Sequence, residues 1–221
     1  MQTQEFLNTV LSGEGYYCIF GAKQDKKIQK FYLSLETASS VAEDMARNGY
    51  DAYFALATYE TGESRKGDNA KQLKAFFLDI DCGPEKDYPN QQTAIAALRD
   101  FCKSAKLPRP TMVNSGRGVH VYWPLVEAVT AEAWVPVAEQ LKALCKLHGM
   151  EADPSVTADV ARILRVPNTF NFKDEPPHEV VVLGEVSSPV EFEAFKVLMG
   201  EVSVTARNFV PKVMDDVTNA L

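Results

Sequence analysis

The sequence lacks the features that mark secreted, disulfide-bonded and membrane-spanning proteins. Its four cysteines, Cys18, Cys82, Cys102 and Cys145, are widely spaced, with no CxxC pair and no histidine close by. This pattern argues against a disulfide framework and a zinc site, and it favours a reducing compartment. No stretch approaches the roughly 18 consecutive apolar residues of a membrane helix, and the first residues do not resemble a signal peptide. We therefore expect a cytoplasmic protein without zinc and without a membrane partner.

Positive charge is also scarce, because 23 Lys and Arg residues face 30 Asp and Glu residues, for a net charge of −7. Residues 174–221 carry nine acidic and three basic side chains, so residues 1–173 hold 21 acids and 20 bases. The acidic excess is therefore concentrated in the C-terminal part. The overall charge consequently does not exclude contact between nucleic acid and the first 173 residues.

Strand and helix patterns follow one another irregularly along the 221 residues. Period-two alternation and short apolar runs predict strands at 15–22, 27–33, 51–57, 75–81, 111–114, 119–125 and 180–183. Apolar residues with a helical period predict helices at 35–48, 91–106 and 131–148, and a last one from a capping box at Ser188 to Gly200. Residues 60–72 are predicted to be a loop. We expect an α+β domain over residues 1–200 and a tail or linker over 201–221, which could lead to further domains.

Two aspartates, Asp79 and Asp81, end the apolar strand at 75–81. Because side chains alternate along a strand, both carboxylates should point to one side while Ile80 packs behind them. Their Cα atoms would lie roughly 7 Å apart, which is close enough to share divalent ions, and Mg²⁺ prefers oxygen ligands. A strand that simply ends at solvent also carries acids, so this motif alone does not establish a metal site.

The segment Ser115-Gly116-Arg117-Gly118-Val119-His120 contains two glycines that allow a tight turn and a close approach of backbone amides to an anion. In the following strand, alternation should turn His120 toward the site and the flanking valines toward the core. The side chains of Ser115, Arg117 and His120 are suited to bind a nucleotide phosphate. The alternative is an ordinary glycine hairpin with an incidental histidine, which loses ground beside a strand that ends in two aspartates.

A third group of charged residues lies between positions 153 and 173. Either Asp153 or Asp159 would complete a set of three carboxylates, and the cations Arg162, Arg165 and Lys173 would neutralise a triphosphate. The alternative is that Asp159 and Arg162 form a surface ion pair, which would contribute little to stability. The residues by themselves leave both interpretations open.

In order along the chain, the three motifs resemble those of the archaeo-eukaryotic primase superfamily. That order is aspartate-hydrophobic-aspartate, then SGxGxH, then an aspartate followed by paired arginines and a lysine. Within the superfamily the chain is most similar to primase-polymerases of phages, plasmids and other mobile elements. The segment 159–173, DVARILRVPNTFNFK, is similar to the stretch that closes the active site in those proteins. The resemblance spans about residues 51–183 and rests on three ordered motifs, none of which is specific alone.

The resemblance implies roles for individual residues. Asp79 and Asp81 would bind the catalytic metals, and His120 would bond the incoming triphosphate. The third metal ligand follows a hydrophobic residue in the family, whereas Asp153 and Asp159 both follow alanine. The order of the downstream residues favours Asp153. The residues that would contact the nucleotide are Ser115, Gly116, Arg117, Gly118, His120, Arg162, Arg165 and Lys173, with Arg65 as a further candidate for phosphate.

The resemblance also implies a fold and an activity. The fold would be an α/β N-terminal unit packed beside an RRM-like unit, with the active site between them. The activity would be two-metal nucleotidyl transfer, with Mg²⁺ or Mn²⁺, from nucleoside triphosphates onto a 3′-hydroxyl. His120, Arg165 and Lys173 would offset the charge of the triphosphate. The partners would be nucleoside triphosphates, a single-stranded DNA template with its primer, and a helicase domain or protein. The setting would be replication of a phage or other mobile element, in a bacterial host or virus-infected cell.

Three other functions share some of these features. A non-catalytic RRM-like nucleic-acid-binding module would display stacking aromatics where this sequence places acids at strand ends. A rolling-circle endonuclease would need clustered histidines, whereas the three histidines are far apart, at positions 120, 148 and 178. A metal-dependent nuclease would share the carboxylates but would not account for the glycine-histidine motif together with the downstream basic residues.

Overall fold

Two antiparallel sheets form the framework of the protein, of which a computed structural model describes residues 1–208. The strands in this part are β1 (Tyr17–Lys23), β2 (Lys26–Tyr32), β3 (Asp51–Ala55), β4 (Ala57–Tyr59), β5 (Ala70–Ile80), β6 (Thr111–Asn114), β7 (Val119–Thr130), β8 (Ile163–Arg165), β9 (Thr169–Asn171) and β10 (His178–Leu183). The α-helices are α1 (Thr3–Val10), α2 (Leu35–Arg47), α3 (Gln91–Ser104), α4 (Ala131–Leu147) and α5 (Phe192–Asn208). The predicted α+β class is confirmed. Within residues 1–208, no helix combines the length and the apolar character that a membrane span requires.

The smaller sheet has the strand order β2-β1-β3-β8 and is antiparallel throughout. Alternation along its strands gives one apolar face, which includes the fully buried Ile19 and Phe54 and packs against α2. Helix α2 begins at a Ser34 cap, whose hydroxyl oxygen accepts a hydrogen bond from the Thr37 amide at 3.2 Å. The other face carries Phe20 and Tyr53, which are only half-buried.

The larger sheet has the strand order β4-β5-β7-β6-β10-β9. Its central strands, β5 and β7, are antiparallel and pair Asp79 with His120. On one face, the Phe76 ring stacks on Trp134 of α4 at 5.5 Å and on Phe195 of α5 at 4.5 Å between centroids. On the other face, α1 inserts Phe6, and both sides of β7 are therefore buried from Val119 to Leu125. The burial explains why these strands read as apolar runs.

One hydrophobic core joins the two sheets. Phe54 of β3 packs against Tyr122 of β7 with a centroid distance of 6.4 Å, and Phe6 contacts both rings edge-on. All three rings are fully buried, and aromatic side chains of this size dominate the apolar area that folding removes from water. This packing fixes β3 and β8 beside the end of β5, where Asp79 lies.

Some predicted elements differ from those observed. Helix α1 and strands β4, β8 and β9 were not predicted as separate elements, and β5 begins at Ala70, inside the predicted loop 60–72. The capping box predicted at Ser188 is wrong, because α5 begins at Phe192. The segment before it is extended, and its Val190 amide donates to the Pro124 carbonyl at 2.9 Å. Helix α5 continues to Asn208, past the predicted domain end at residue 200, and positions 209–221 of the predicted tail lie outside the described residues.

Candidate active site

Asp79 and Asp81 lie at the C-terminal end of β5, next to the smaller sheet. Ile80 between them is fully buried, whereas the side chains of Asp79 and Asp81 are 25% and 60% exposed. This is the alternation expected for a strand end with two acids on one side. Asp81 forms an ion pair with Lys86 at 2.7 Å, a partner that the motif did not predict.

Of the two candidates for the third carboxylate, the structure places Asp153 beside the strand end. The Asp153 amide donates to the Asp79 carbonyl at 2.8 Å. Burial raises the pKa of the Asp79 carboxyl to about 7, and the negative charges of Asp81 and Asp153 add to this rise. Asp159 instead pairs with Arg162 at 3.4 Å and accepts the Ala161 amide at 2.8 Å.

The carboxylates of Asp79, Asp81 and Asp153 are ligands of the type that hard divalent cations prefer, although the three side chains do not form a cluster. Among residues 1–208, no group of three His, Cys, Asp or Glu side chains is close enough to hold a metal ion. Each exposed acid has another partner: Asp81 pairs with Lys86, while an Asp153 carboxylate oxygen accepts the Ser155 hydroxyl at 2.7 Å. Their mutual effect on the pKa of Asp79 and their oxygen chemistry suit Mg²⁺ or Mn²⁺.

The turn from Ser115 to Gly118 packs directly against the backbone that carries the two acids. A Cβ atom at Gly118 would lie 2.3 Å from the Ile80 carbonyl oxygen, so no other residue fits without moving the strand end. Gly116 has φ of +95°, which favours glycine, and its amide donates to the Asn114 side chain at 2.7 Å. The Gly118 amide donates to the Ser115 hydroxyl oxygen at 3.1 Å. Two amides that we expected to approach an anion are therefore engaged within the turn, and the glycines serve close packing.

His120 lies directly across from Asp79, with 3.7 Å between Nε2 and the nearest carboxylate oxygen. Its side chain is almost completely buried. Burial, together with the positive charge of Arg165, lowers the pKa of His120 to about 3. The imidazole is therefore neutral near pH 7. It can donate one hydrogen bond, as the predicted contact with a phosphate requires, but it carries no positive charge.

Arg165 enters the site from β8 of the smaller sheet. Its guanidinium forms an ion pair with Asp51 and lies over the Tyr53 ring at 4.8 Å from the centroid. Asp51 also accepts the Phe172 amide at 2.9 Å, so it links β3 to the segment after β9. Arg165 is 5% exposed, and a cation so buried needs this carboxylate partner. No sequence pattern marks Asp51 or Tyr53, because their contact with Arg165 joins positions more than 100 residues apart.

A cleft of about 300 Å³ brings most of these side chains together. The predicted site residues that line it are Asp79, Asp81, Ser115, Arg117, Gly118, His120, Arg165 and Lys173. Tyr53, Lys86 and Asn171 also line it, and Asn171 donates to the Ser115 carbonyl at 2.9 Å. The cleft thus joins acids at one strand end to cations from β8 and the segment after β9.

Other predicted phosphate ligands have partners of their own. Arg117 pairs with Asp174 through two nitrogens and is half-exposed. Arg162 donates to the Ser155 carbonyl at 2.8 Å and pairs with Asp159, so the ion pair weighed as an alternative is present. Arg65 donates to the Ala161 carbonyl and does not line the cleft. The other histidines lie elsewhere: His148 bonds Ser104 at 3.0 Å, and His178 pairs with Asp174.

Comparison with known proteins identifies the fold. No protein-family model matches the chain, and the comparison with curated proteins found no match. Among solved structures, the archaeo-eukaryotic primase (AEP) domain of the cyanophage S-2L primase-polymerase superimposes with a TM-score of 0.62 at 15% identity, over 84% of this chain and 89% of that one. Primase RepB′ superimposes with a TM-score of 0.57 at 15% identity, over 94% of this chain and 65% of its own length.

The chain therefore has the catalytic fold of archaeo-eukaryotic primases. The resemblance inferred from the three motifs is confirmed at the level of the fold, which is of the type found in phage primase-polymerases. The structure has two sheets, and residues of both line the cleft.

Proposed function

We propose that this chain is a primase-polymerase that transfers nucleotides from nucleoside triphosphates onto a 3′-hydroxyl, on a single-stranded DNA template. One observation carries the proposal: Asp79 and Asp81, at the end of β5, line a cleft that also contains Arg165 and Lys173, and the Asp153 amide bonds the backbone of that strand end. Both solved structures with this fold that we describe are primases, which supports the same chemistry. Replication of a phage or other mobile element, in the cytoplasm of a bacterial host or infected cell, is the setting that the motifs favour.

Asp79, Asp81 and Asp153 would hold two divalent cations, Mg²⁺ or Mn²⁺. Bound there, the cations would supply activation of the 3′-hydroxyl and stabilisation of the leaving oxygens. Burial and then the negative charges of Asp81 and Asp153 raise the pKa of the Asp79 carboxyl, so a bound cation would favour the ionised form that a ligand needs. Asp81 would leave its ion pair with Lys86 to bind a cation. Loss of this ion pair costs little because both side chains are at least half-exposed.

The triphosphate would lie against the cations on the other side of the cleft. Arg165 is held in place by Asp51 and Tyr53, so it would meet a phosphate with little loss of side-chain entropy. Lys173 is exposed and has no carboxylate partner within the described part of the chain. Neutral His120 would donate a hydrogen bond to a phosphate oxygen. Fixed donors and charges of this kind stabilise the charge that develops as the α-phosphorus is attacked.

The non-catalytic RRM-like alternative gains no support from the larger sheet. RRM domains stack bases on an open sheet face. Here helices α3, α4 and α5 cover one face of the central strands and α1 covers the other. The exposed polar groups are instead the acids at the strand end.

Incorporation of labelled nucleotides on single-stranded DNA, with and without a primer and with Mg²⁺ or Mn²⁺, tests the proposal. Asp79→Asn and Asp153→Asn should each lower the rate by at least about 100-fold, since loss of a ligand exceeds the effect of an outer-shell partner. Asp159→Asn is the matched control and should retain activity within a few-fold. If Asp159→Asn is inactive and Asp153→Asn is active, the assignment of the third carboxylate is wrong. If the wild type binds DNA and triphosphate but incorporates nothing with either metal, the polymerase proposal fails.

A further inference from the structure

The smaller sheet has one face that nothing else in the described part of the chain covers completely. Side chains at alternate strand positions form the face opposite α2. These positions are Cys18, Phe20, Ala22, Lys27, Gln29, Phe31, Asp51, Tyr53, Ala55, Ile163 and Arg165. Strand β4 and the loop after it shield one end of this face, where Phe31 packs on Tyr59 and lies close to Gly62. Elsewhere on this face Cys18, Ala55 and Arg165 are buried, whereas the other positions are partly or fully exposed: Phe20, Ala22, Lys27, Gln29, Asp51, Tyr53 and Ile163.

Across this face runs a row of four side chains, one from each strand, of which the first three are at least partly exposed. Register pairs Gln29 with Phe20, Phe20 with Tyr53, and Tyr53 with Arg165. The rings of Phe20 and Tyr53 are 6.0 Å apart and both are half-buried, so each presents an edge or face to solvent. Three strand spacings of roughly 4.8 Å make the row about 14 Å long. At about 3.4 Å per stacked base, this length suits some four nucleotides.

The charge on this face suits a polyanion. Lys27 lies on it beside Gln29, and Arg65 reaches it from the neighbouring loop and donates to the Gln29 side chain at 3.2 Å. Neither Lys27 nor Arg65 has a carboxylate partner among residues 1–208. The one acid at these strand positions, Asp51, is neutralised by Arg165. Partly exposed aromatic rings beside cations without a carboxylate partner suit the binding of single-stranded nucleic acid.

The row leads into the candidate active site. Tyr53 and Arg165 at its end line the same cleft as Asp79 and Asp81. We propose that the open face of the smaller sheet, defined by Gln29, Phe20 and Tyr53 with Lys27 and Arg65 at its border, is a platform for single-stranded DNA that leads the template into the cleft. That the bound DNA is a template rests on the proposed function. That this face binds single-stranded DNA does not depend on the proposed function.

A basic edge strand has a simpler explanation, because lysines on β2 would discourage edge-to-edge association of sheets. That explanation treats Lys27 and Lys30 alike, since both are exposed on the same edge strand. The platform distinguishes them: Lys27 lies on the aromatic face, and Lys30, which pairs with Ile19, lies on the face toward α2. Lys30 is therefore the matched control for Lys27.

For the aromatic row, the matched control is Phe170. It is exposed and lies on β9 between two buried neighbours, so it points away from the cleft that Asn171 lines. Replacement of either phenylalanine by leucine keeps an apolar side chain and removes the ring. Thermal unfolding of each variant identifies any that has lost its fold.

The experiment measures the affinity of fluorescein-labelled oligodeoxythymidylate by anisotropy over a range of salt concentrations, without triphosphate or divalent metal. Phe20→Leu should weaken binding at least about fivefold through lost stacking. Lys27→Gln should weaken binding and reduce the slope of log K against log salt by about 0.7, the value for one phosphate contact to a single strand. Phe170→Leu and Lys30→Gln should bind as the wild type does.

Equal losses from Lys27→Gln and Lys30→Gln would overturn the platform in favour of diffuse charge, and so would unchanged binding by folded Phe20→Leu. Primer extension on the same variants separates the two proposals. If the wild type extends primers while Phe20→Leu and Lys27→Gln bind and extend normally, the platform fails and the polymerase stands. If the wild type never incorporates nucleotides but binding depends on Phe20 and Lys27, the platform stands as a single-stranded DNA site and the polymerase fails.

Discussion

The ion pair between Asp51 and Arg165 should be among the most costly polar contacts to break. Their side chains are only 14% and 6% exposed, and Asp51 accepts a second hydrogen bond from the Phe172 amide. Removal of one partner from a buried pair leaves an uncompensated charge, at a cost of about 3–5 kcal/mol. We therefore expect Asp51→Ala to lower the free energy of unfolding by that amount. At about 2–4 °C per kcal/mol for a domain of this size, the midpoint of thermal unfolding should fall by about 6–20 °C.

Two further variants separate charge from hydrogen bonding. Asp51→Asn keeps an acceptor for the Phe172 amide and should cost less than Asp51→Ala. The double variant Asp51→Ala with Arg165→Met removes the stranded cation, and it should be more stable than Asp51→Ala alone. Asp44→Ala removes an exposed ion pair with Arg47, whose side chains are 62% and 65% exposed, and should change the stability by less than about 0.5 kcal/mol.

Urea unfolding followed by circular dichroism measures all four variants under one condition. If Asp51→Ala costs no more stability than Asp44→Ala, the buried pair behaves as a surface pair and the prediction is wrong. A double variant less stable than Asp51→Ala would also contradict it, since Arg165 would then be stabilised by contacts other than this carboxylate.

Two other predictions concern the strand end that carries the acids. Gly118→Ala would place a Cβ atom 2.3 Å from the Ile80 carbonyl oxygen and should destabilise the fold by about 1–3 kcal/mol in urea unfolding, whereas Gly13→Ala, with open space around it, should change little. An unchanged Gly118→Ala would mean that this strand end yields without cost. Saturating Mg²⁺ or Mn²⁺, at about 100 times the dissociation constant, should stabilise the metal-free protein by about 2.7 kcal/mol, as measured by thermal unfolding. The shift should persist in Asp159→Asn and vanish in Asp79→Asn; an equal shift in both would place the cation elsewhere.

The sequence alone determined the features that depend on near neighbours. The alternation around Ile80 placed Asp79 and Asp81 on one side of a strand. The same kind of local pattern predicted the strand at 111–114, which is β6. Helical periods located α2, α3 and α4 to within two residues at each end. The order of three short motifs led to the primase fold, although no single motif was specific. These inferences succeed because backbone alternation and helical repeat act over only a few residues.

Other features of the site depend on contacts between distant parts of the chain, and only the tertiary structure shows them. The order of the downstream residues favoured Asp153 over Asp159, but only a backbone hydrogen bond to Asp79, 74 positions away, brings Asp153 to the strand end. The motif predicted that His120 bonds a triphosphate, but the low pKa of its imidazole follows from burial in a core shared by two sheets. Asp51 became a partner of Arg165 only because β3 and β8 pair. Local patterns do not encode which side chains become buried or which of them meet across the fold. Burial and these long-range contacts determine the charge of each side chain and its partner.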